Sequence, residues 1–580
     1  MTPSDDRTTT THLAPVPIAR RSVLQGIAGA ALAGTAISPR ITFAQDAPAS
    51  TPAGTPGATP AGISGSTPGA TPIAANGYYP SGSDSVPDAY TQLPAPFVSY
   101  DGVPGSGGTV HAFAIAYQPP PPGRDQNQYW QELERRLGVT WEIDMTPQPS
   151  FGEKSAAYFA GGDLPDLFYL NPQQGAPQQW QALSQGAFLD LEPYVTGDAL
   201  QQFKNLATFP QYAWDNVRFQ GKIYGVPKVS GARFSSLPFY RADWVDALGI
   251  AHPTSPDSVR EMLVAFAQGD PDGNGTADTY GMGRHWFGWH VMDNKLAAYM
   301  HRAPREWQVN PDGSMLYTIE TPEFRQELEW QARLWAEGGY HPDAPAMTYP
   351  LAKQAFIAGQ TGLHLDALAT FFGTGNVGDQ MRQLNPNARI APYVPVGPDG
   401  APGATWNDPG FFGFTAIPAS ITDEDRILEL LRILDYLAAP FGSEERTFLD
   451  SGIEGVHFTR NEAGAPILND QGRLEKGDLI APMGGIPVYY YPEEPDLGPQ
   501  LQQIALQSFT LGRDNPNQTL YSPTSVEVGP QLEQMGVDRI VAMVTGRDGM
   551  DAFDGALQDW RDQGGDQIRE ELQEALQQQG

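Results

Sequence analysis

VHAFAIAYQPPPPGRDQNQYWQELERRLGVTWEIDM, residues 110–145, is the stretch on which the fold turns. Val110 to Tyr117 is a β-branched and aromatic run of strand length, closed by Pro119-Pro120-Pro121-Pro122. Asn127 to Leu137 reads as a helix, because Tyr129, Trp130, Leu133 and Leu137 share one face at helical spacing. Val139 to Met145 is a second strand, Glu153 to Phe159 a helix, and Asp166 to Leu170 a third strand. Strand, helix, strand, helix, strand is the rhythm of a parallel sheet wrapped by helices.

Helices dominate farther along, at Ser255 to Gln268, Pro322 to Glu337, Asp423 to Ala438, Leu497 to Leu511 and from Asp551 to Leu576. Gly338-Gly339 and Pro440 mark helix ends. No second linker interrupts this body, so the lobes are expected to be interleaved along the chain, with a helix-rich second lobe. Toward the N-terminus the character changes. Residues 45–97 are rich in Thr, Pro, Gly and Ala, with Thr-Pro repeats such as Thr51-Pro52 and Thr71-Pro72. Such a segment buries little apolar surface and favours extended conformations, so it reads as a disordered linker, either a spacer or a leader with no specific job. The folded body is expected from 98 to 580, with its regular structure starting near Gly107. Residues 1–44 read as an export signal: Arg20-Arg21 precede a weakly apolar Ala/Gly-rich stretch, and Thr42-Phe43-Ala44 suits a cleavage site. A chance arginine pair or an uncleaved anchor is the competing reading.

Composition narrows the function. The 580 residues include 67 acidic and 35 basic side chains, for a formal net charge of −32. A field of that sign repels phosphate backbones, so nucleic acid is a poor partner. There is no cysteine. That excludes disulfides, thiolate ligands and nucleophiles, and the lipidated cysteine of a lipoprotein. No serine triad or Walker loop is present. Gly373 to Gly378 fits G-x-G-x-x-G but lacks the strand and acidic residue of a nucleotide unit. His285 and His290 are five apart, a poor spacing for two ligands on one helix face. Catalysis has no positive signal.

Asp270-Pro271-Asp272-Gly273-Asn274-Gly275-Thr276-Ala277-Asp278 carries the sharpest site signal. Asp270, Asp272, Asn274, Thr276 (through its carbonyl) and Asp278 alternate as oxygen ligands, and Gly275 supplies the sharp turn at position six. This is the spacing of a calcium loop, and a structural Ca2+ is the expected cofactor. The twelfth position, usually a bidentate glutamate, is Gly281. A plain Asp/Asn/Gly turn is the alternative. For a ligand cleft the candidates are Tyr169, Trp286, Trp289, Asp366, Trp406, Asp408 and Tyr489. Aromatic rings pack on the apolar C–H face of a sugar while carboxylates bond its hydroxyls. Ordinary core is the competing reading for each ring.

Several landmarks then add up to a resemblance. Gly161-Gly162-Asp163-Leu164-Pro165-Asp166, Gln220-Gly221-Lys222-Ile223-Tyr224-Gly225-Val226-Pro227, Arg241-Ala242-Asp243-Trp244 with Leu248-Gly249, and Gly452-Ile453-Glu454-Gly455 occur in order. The ordered set resembles extracellular solute-binding proteins of ABC transporters, of the carbohydrate type. The resemblance implies an α/β, two-lobed, periplasmic-binding-protein-like fold with a hinge and an interlobe cleft, its first crossover near residue 227. It implies a monomeric receptor, free or held outside the cytoplasmic membrane, that delivers an oligosaccharide to the membrane subunits of an importer. An exported polysaccharide lyase or glycosidase is the alternative, and a tethered adhesin a third reading.

Overall fold

The computed structural model describes residues 77–579 apart from 172–177, 231–232, 234–235, 285–287, 293–294 and 374–375. The signal segment, residues 45–76 of the linker and Trp286 therefore lie outside the described residues. The first lobe is built on five strands: β1 (Thr109–Ala116), β2 (Thr140–Pro147), β3 (Leu167–Leu170), β4 (Gly225–Val229) and, much later, β9 (Phe411–Ala416). They lie in the order β2-β1-β3-β9-β4. β1 runs parallel to β2 and β3, as the opening stretch predicts, and β9 is antiparallel to β3 and β4. The helix between β1 and β2 spans Gln128–Leu137. Asn127 caps it by accepting the Trp130 N–H at 2.8 Å, and Gly138 ends it in the left-handed region at φ 70.

The second lobe holds four strands, β5 (Leu237–Arg241), β6 (Tyr280–Met282), β7 (Thr361–Asp366) and β8 (Ile390–Pro392), in the order β6-β7-β5-β8. Each lobe has its own core. Phe113, Phe168, Leu430 and Leu434 belong to the first; Trp244, Phe266, Leu328 and Ile540 belong to the second. A further apolar layer, with Phe239, Phe356 and Leu501, packs within the second lobe.

The chain passes from the first sheet to the second between Val229 and Leu237 and returns before Phe411. It leaves the first core again after Met483 and joins the second lobe at Tyr489. Gly225 and Pro227 by themselves favour a stiff turn where the chain leaves the lobe, since proline fixes φ and glycine permits conformations that other residues avoid. Yet Gly225 opens the edge strand β4. A Cβ there would stand 2.5 Å from the Phe414 ring and 2.8 Å from the Thr415 carbonyl, so glycine permits close strand pairing. Pro227 is tolerated because β4 is an edge strand.

A second correction concerns the linker. Residues 77–97 are folded: Tyr78–Tyr79 pairs with Ala89–Tyr90, and Ala89–Tyr90 pairs with Tyr489–Tyr490. Val86 and Ala89 are buried in the second lobe, whereas Phe97 bridges to Ser443 beside the first. The composition hid two short strands between proline-rich flanks. Among the described residues, no helix is long and apolar enough to cross a membrane.

The helix Pro523–Val544 packs on the second core, where Gly536 lets it approach the Trp289 indole. A Cβ at Gly536 would stand 2.4 Å from Trp289 Cε2. Gly536→Ala should cost about 1–3 kcal/mol by overpacking, read from urea unfolding together with a shift in tryptophan fluorescence. An unchanged midpoint would remove Trp289 from this core.

Candidate functional site

In open α/β sheets, ligands bind beyond the carboxyl ends of the parallel strands. In the first lobe that edge carries Tyr117 just after β1, Asn171 just after β3, and the N-terminal end of the antiparallel β9. β9 has a bulge there: Phe411 pairs with Val229 and Phe414 with Pro227, so one extra residue is inserted. Bulges re-aim side chains, and here Phe412 is turned outward, 40% exposed. The Asn171 amide holds the bulge by donating to the Phe412 carbonyl at 2.7 Å. Tyr117, 51% exposed, meets the Phe412 ring edge-on at 5.9 Å. Its backbone N–H and that of Gln118 both donate to Asp478 Oδ2 at 2.7 Å. The result is an anchored pair of open aromatic rings.

The second lobe's edge carries carboxylates and an amine. Asp366 ends β7 and accepts the Tyr349 hydroxyl at 2.5 Å and the Ala367 N–H at 2.7 Å. Burial opposes its ionisation, but His364, Tyr349 and the Ala367 N–H outweigh it and hold the carboxyl at about 2. Lys295 is buried nearby, its Nζ 3.4 Å from Ser236 Oγ and 5.7 Å from the centre of the Trp406 ring. Burial lowers this amine to about 8, while Asp408 and Asp366 pull it up. Its backbone sits at φ 92, a strained region for a non-glycine residue.

The lobes also meet through rings. Trp180 of the first lobe packs on Phe219 at 5.3 Å, and Phe219 packs edge-on against Tyr521 at 5.3 Å. Tyr521 closes a loop in which Asn515 Oδ1, Asn517 Oδ1 and Gln518 Nε2 make no hydrogen bond among the described residues. Asn517 uses its amide N–H to reach Glu306 at 2.8 Å. Glu533, raised by burial and then by Glu306, lies on the helix that follows. Amide and carboxyl groups of this kind suit a ligand rich in hydroxyls.

Four ring assignments need correction. Trp406 is 0% exposed; its indole N–H donates to the Ala303 carbonyl at 3.0 Å, and its faces meet Tyr299 and His290. Trp289, 3% exposed, lies against Gly536 and Tyr317. Tyr489 is held in a strand pair over the second lobe's apolar layer. Tyr169 is fully buried within the first sheet. Protein already covers their faces, so none is a stacking platform. Asp366 and Asp408 remain partly accessible, and Asp408 pairs with Arg305 at 3.1 Å. Trp286 lies outside the described residues. Tyr117 and Phe412 were missed, although Tyr117 is the aromatic just before the proline run. The bulge that exposes Phe412 leaves no trace in spacing.

The Asp270–Asp278 loop is exposed and tightly wound, with Asp270, Gly273 and Gly275 all at positive φ. Asp270 accepts the backbone N–H groups of Asn274 and Gly275 at 3.1 and 3.0 Å. The Asn274 amide donates to Asp272 at 2.9 Å and to Asp278 at 3.2 Å, and Asn274 Oδ1 accepts the Thr276 N–H at 2.6 Å. Two carboxylates thus hold the Asn274 side-chain amide, and a third holds its backbone N–H. Burial, with Asp270 and Asp278 adding to it, raises Asp272. Among the described residues, no three His, Asp or Glu side chains gather closely enough to form a metal cage by themselves. The loop's donors fit a cation only as a mixed set of carboxylate, amide and carbonyl oxygens.

No protein-family model matches the chain. It is 23% identical to Lipoprotein LipO of Bacillus subtilis over 486 residues, covering 82% of this chain and 93% of that protein. It is 22% identical over 471 residues to the polygalacturonan/rhamnogalacturonan-binding protein YtcQ of the same organism, covering 80% and 90%. Among solved structures it is similar to the Streptococcus pneumoniae ABC-transporter substrate-binding protein FusA, an EF-hand mutant in complex with fructo-nystose. The TM-score is 0.58 at 16% identity, covering 81% of this chain and 99% of that one. The likeness extends through both lobes, and the fold is that of a two-lobed substrate-binding protein.

Removing the Asp366 charge tests the second lobe's edge. Its carboxyl is lowered from 3.8 to about 2, so its stabilisation is present above pH 4 and lost as pH falls through 2. Asp366→Asn should lower stability by about 2 kcal/mol at pH 7, at 1.36 kcal/mol per unit. Urea unfolding across pH 2–7 should show the gap closing toward pH 2; a gap near zero at pH 7 would refute this account.

Proposed function

We infer that this chain is an extracytoplasmic substrate-binding receptor that captures a soluble oligosaccharide between its lobes and delivers it to an ABC importer. It is a binding protein rather than an enzyme. The observation that carries the reading is the two-lobed fold with Tyr117 and Phe412 standing open at the carboxyl edge of the first sheet. YtcQ and FusA, named for binding saccharides or for substrate binding, support the same class. The twin-arginine segment supports export, and the absence of cysteine argues against lipid attachment. Ligand that binds the closed form better than the open one shifts the population toward closure, which the importer's membrane subunits then recognise.

A library of oligosaccharides screened by thermal shift should contain stabilising ligands, and small-angle scattering should show compaction with them. Tyr117→Ala combined with Phe412→Ala should weaken the best ligand by about ten-fold or more, because the apolar burial lost exceeds about 1.4 kcal/mol. Labelled ligand should be recovered intact; turnover would support a lyase or glycosidase instead.

We propose further that the Asp270–Asp278 loop holds a structural calcium ion. The Asn274 amide drawn between Asp272 and Asp278, and the EF-hand named for FusA, support this. The ion would neutralise Asp270, Asp272 and Asp278 and fix the turn between the helix Pro256–Gln268 and β6. Chelation should lower the melting temperature by a few degrees and calcium should restore it, with the response lost in Asp272→Asn. A melting temperature indifferent to calcium would leave the plain turn as the correct reading.

A further inference from the structure

The first lobe's wall of the cleft holds two cations that converge. Lys228 projects from β4 and donates to the Ala481 carbonyl at 2.7 Å, with the Tyr169 ring 5.9 Å away. It is enclosed by protein on nearly every side yet keeps accessible surface, as a residue on a cleft floor does. Arg446, on the helix Glu444–Ser451, uses Nε to reach Asp450 at 2.8 Å. Its Nη1 is buried and makes no hydrogen bond among the described residues. The two side chains meet at Gly484: a Cβ there would lie 3.7 Å from Arg446 Nη1 and 3.9 Å from Lys228 Cε. The Tyr169 hydroxyl is buried and also makes no hydrogen bond among the described residues.

Unused donors and like charges at one spot call for an anion. An ammonium has three donors and a guanidinium five, and the protein satisfies only some of them here. Burial lowers Lys228 to about 8; Arg446 and Lys476 push it the same way, and Asp478 opposes them. Asp478 is already engaged by the N–H groups of Tyr117 and Gln118. Asp450 is engaged by Arg446 itself. The same Asp478 contact ties the cations to the open rings, since it fixes Tyr117 in place. Asp478 thus links the two features, bonded to the Tyr117 N–H and acting on the Lys228 charge.

We propose that Lys228 and Arg446 form a carboxylate subsite, and that the captured oligosaccharide is an acidic one built from uronic acid units. This rests on the receptor reading above and names its substrate class. A carboxylate offers two oxygens, one for the guanidinium edge and one for the ammonium, and such charge-assisted bonds are the strong ones.

The test uses the full chain and two probes with one backbone: tetragalacturonic acid and its fully methyl-esterified, neutral form. Titration calorimetry at pH 7 should find the free acid bound about ten-fold tighter or more, with the ratio shrinking as salt rises. Lys228→Met combined with Arg446→Gln should collapse that ratio toward one. Comparing the two ligands on the unaltered chain needs no variant, so a folding defect cannot obscure the answer. Equal or weaker binding of the acid overturns the subsite, and so does a preference that survives the double substitution. If neutral oligosaccharides bind and the acid does not, the subsite fails alone. If no saccharide binds, the receptor reading fails with it.

Discussion

Two chain crossings between the lobes are hydrogen-bonded to each other and to Ser85 and residues 513–514, and the rest of the molecule depends on that lacing. Ser230 N–H donates to the Gly410 carbonyl at 3.0 Å, and Asp408 N–H donates to the Arg233 carbonyl. Asn407 N–H donates to Arg513 at 2.8 Å, and Arg233 N–H donates to Ser85 at 2.9 Å. Asp514 adds side-chain bonds to Arg233 at 2.5 Å and Asn407 at 3.0 Å. Backbone polar groups in a narrow crossing must find partners, and here the crossings partner each other. Each lobe keeps its own core, and the two bonded crossings join β4 to β5 and Trp406 to β9.

Local rules made the first lobe legible. Asn127 and Gly138 bracket a helix by capping chemistry that works the same way in any context. Ser255 likewise caps the helix Pro256–Gln268, and Gly564 breaks the C-terminal helical stretch at φ 126. Elsewhere tertiary contacts overrode the local signal. Pro227 and Gly225 read as a turn, yet they form an edge strand because β9 arrives from residues far along the chain. The strand Ala89–Tyr90 is paired by Tyr489–Tyr490 from far along the chain, and Tyr78–Tyr79 pairs on its other side.

The candidate site was less legible for the same reason. Ring type says that a side chain is large and apolar, but not which face another element will cover. Trp406 and Trp289 are covered by Tyr299 and by Gly536, both distant in sequence. Tyr117 and Phe412 are open because a proline run ends one strand and a bulge turns the other. Charge was misleading on the local scale as well. A chain of net charge −32 nevertheless places Lys228 and Arg446 at partly enclosed positions in the first lobe and buries Lys295 in the second.

The magnitudes show why two open rings matter to a hinged receptor. Moving a two-state equilibrium from 1:99 to 99:1 needs about 5.5 kcal/mol of differential binding. An aromatic side chain buries roughly 150–250 Å2. Tyr117 and Phe412 have about half of that still exposed. At about 25 cal/mol per Å2, covering both contributes on the order of 5 kcal/mol. Both rings stand on the first lobe, however, so this energy holds the ligand in open and closed forms alike. The bias toward closure has to come from contacts with the second lobe's edge. Asp366, which ends β7 and remains partly accessible, stands at that second edge.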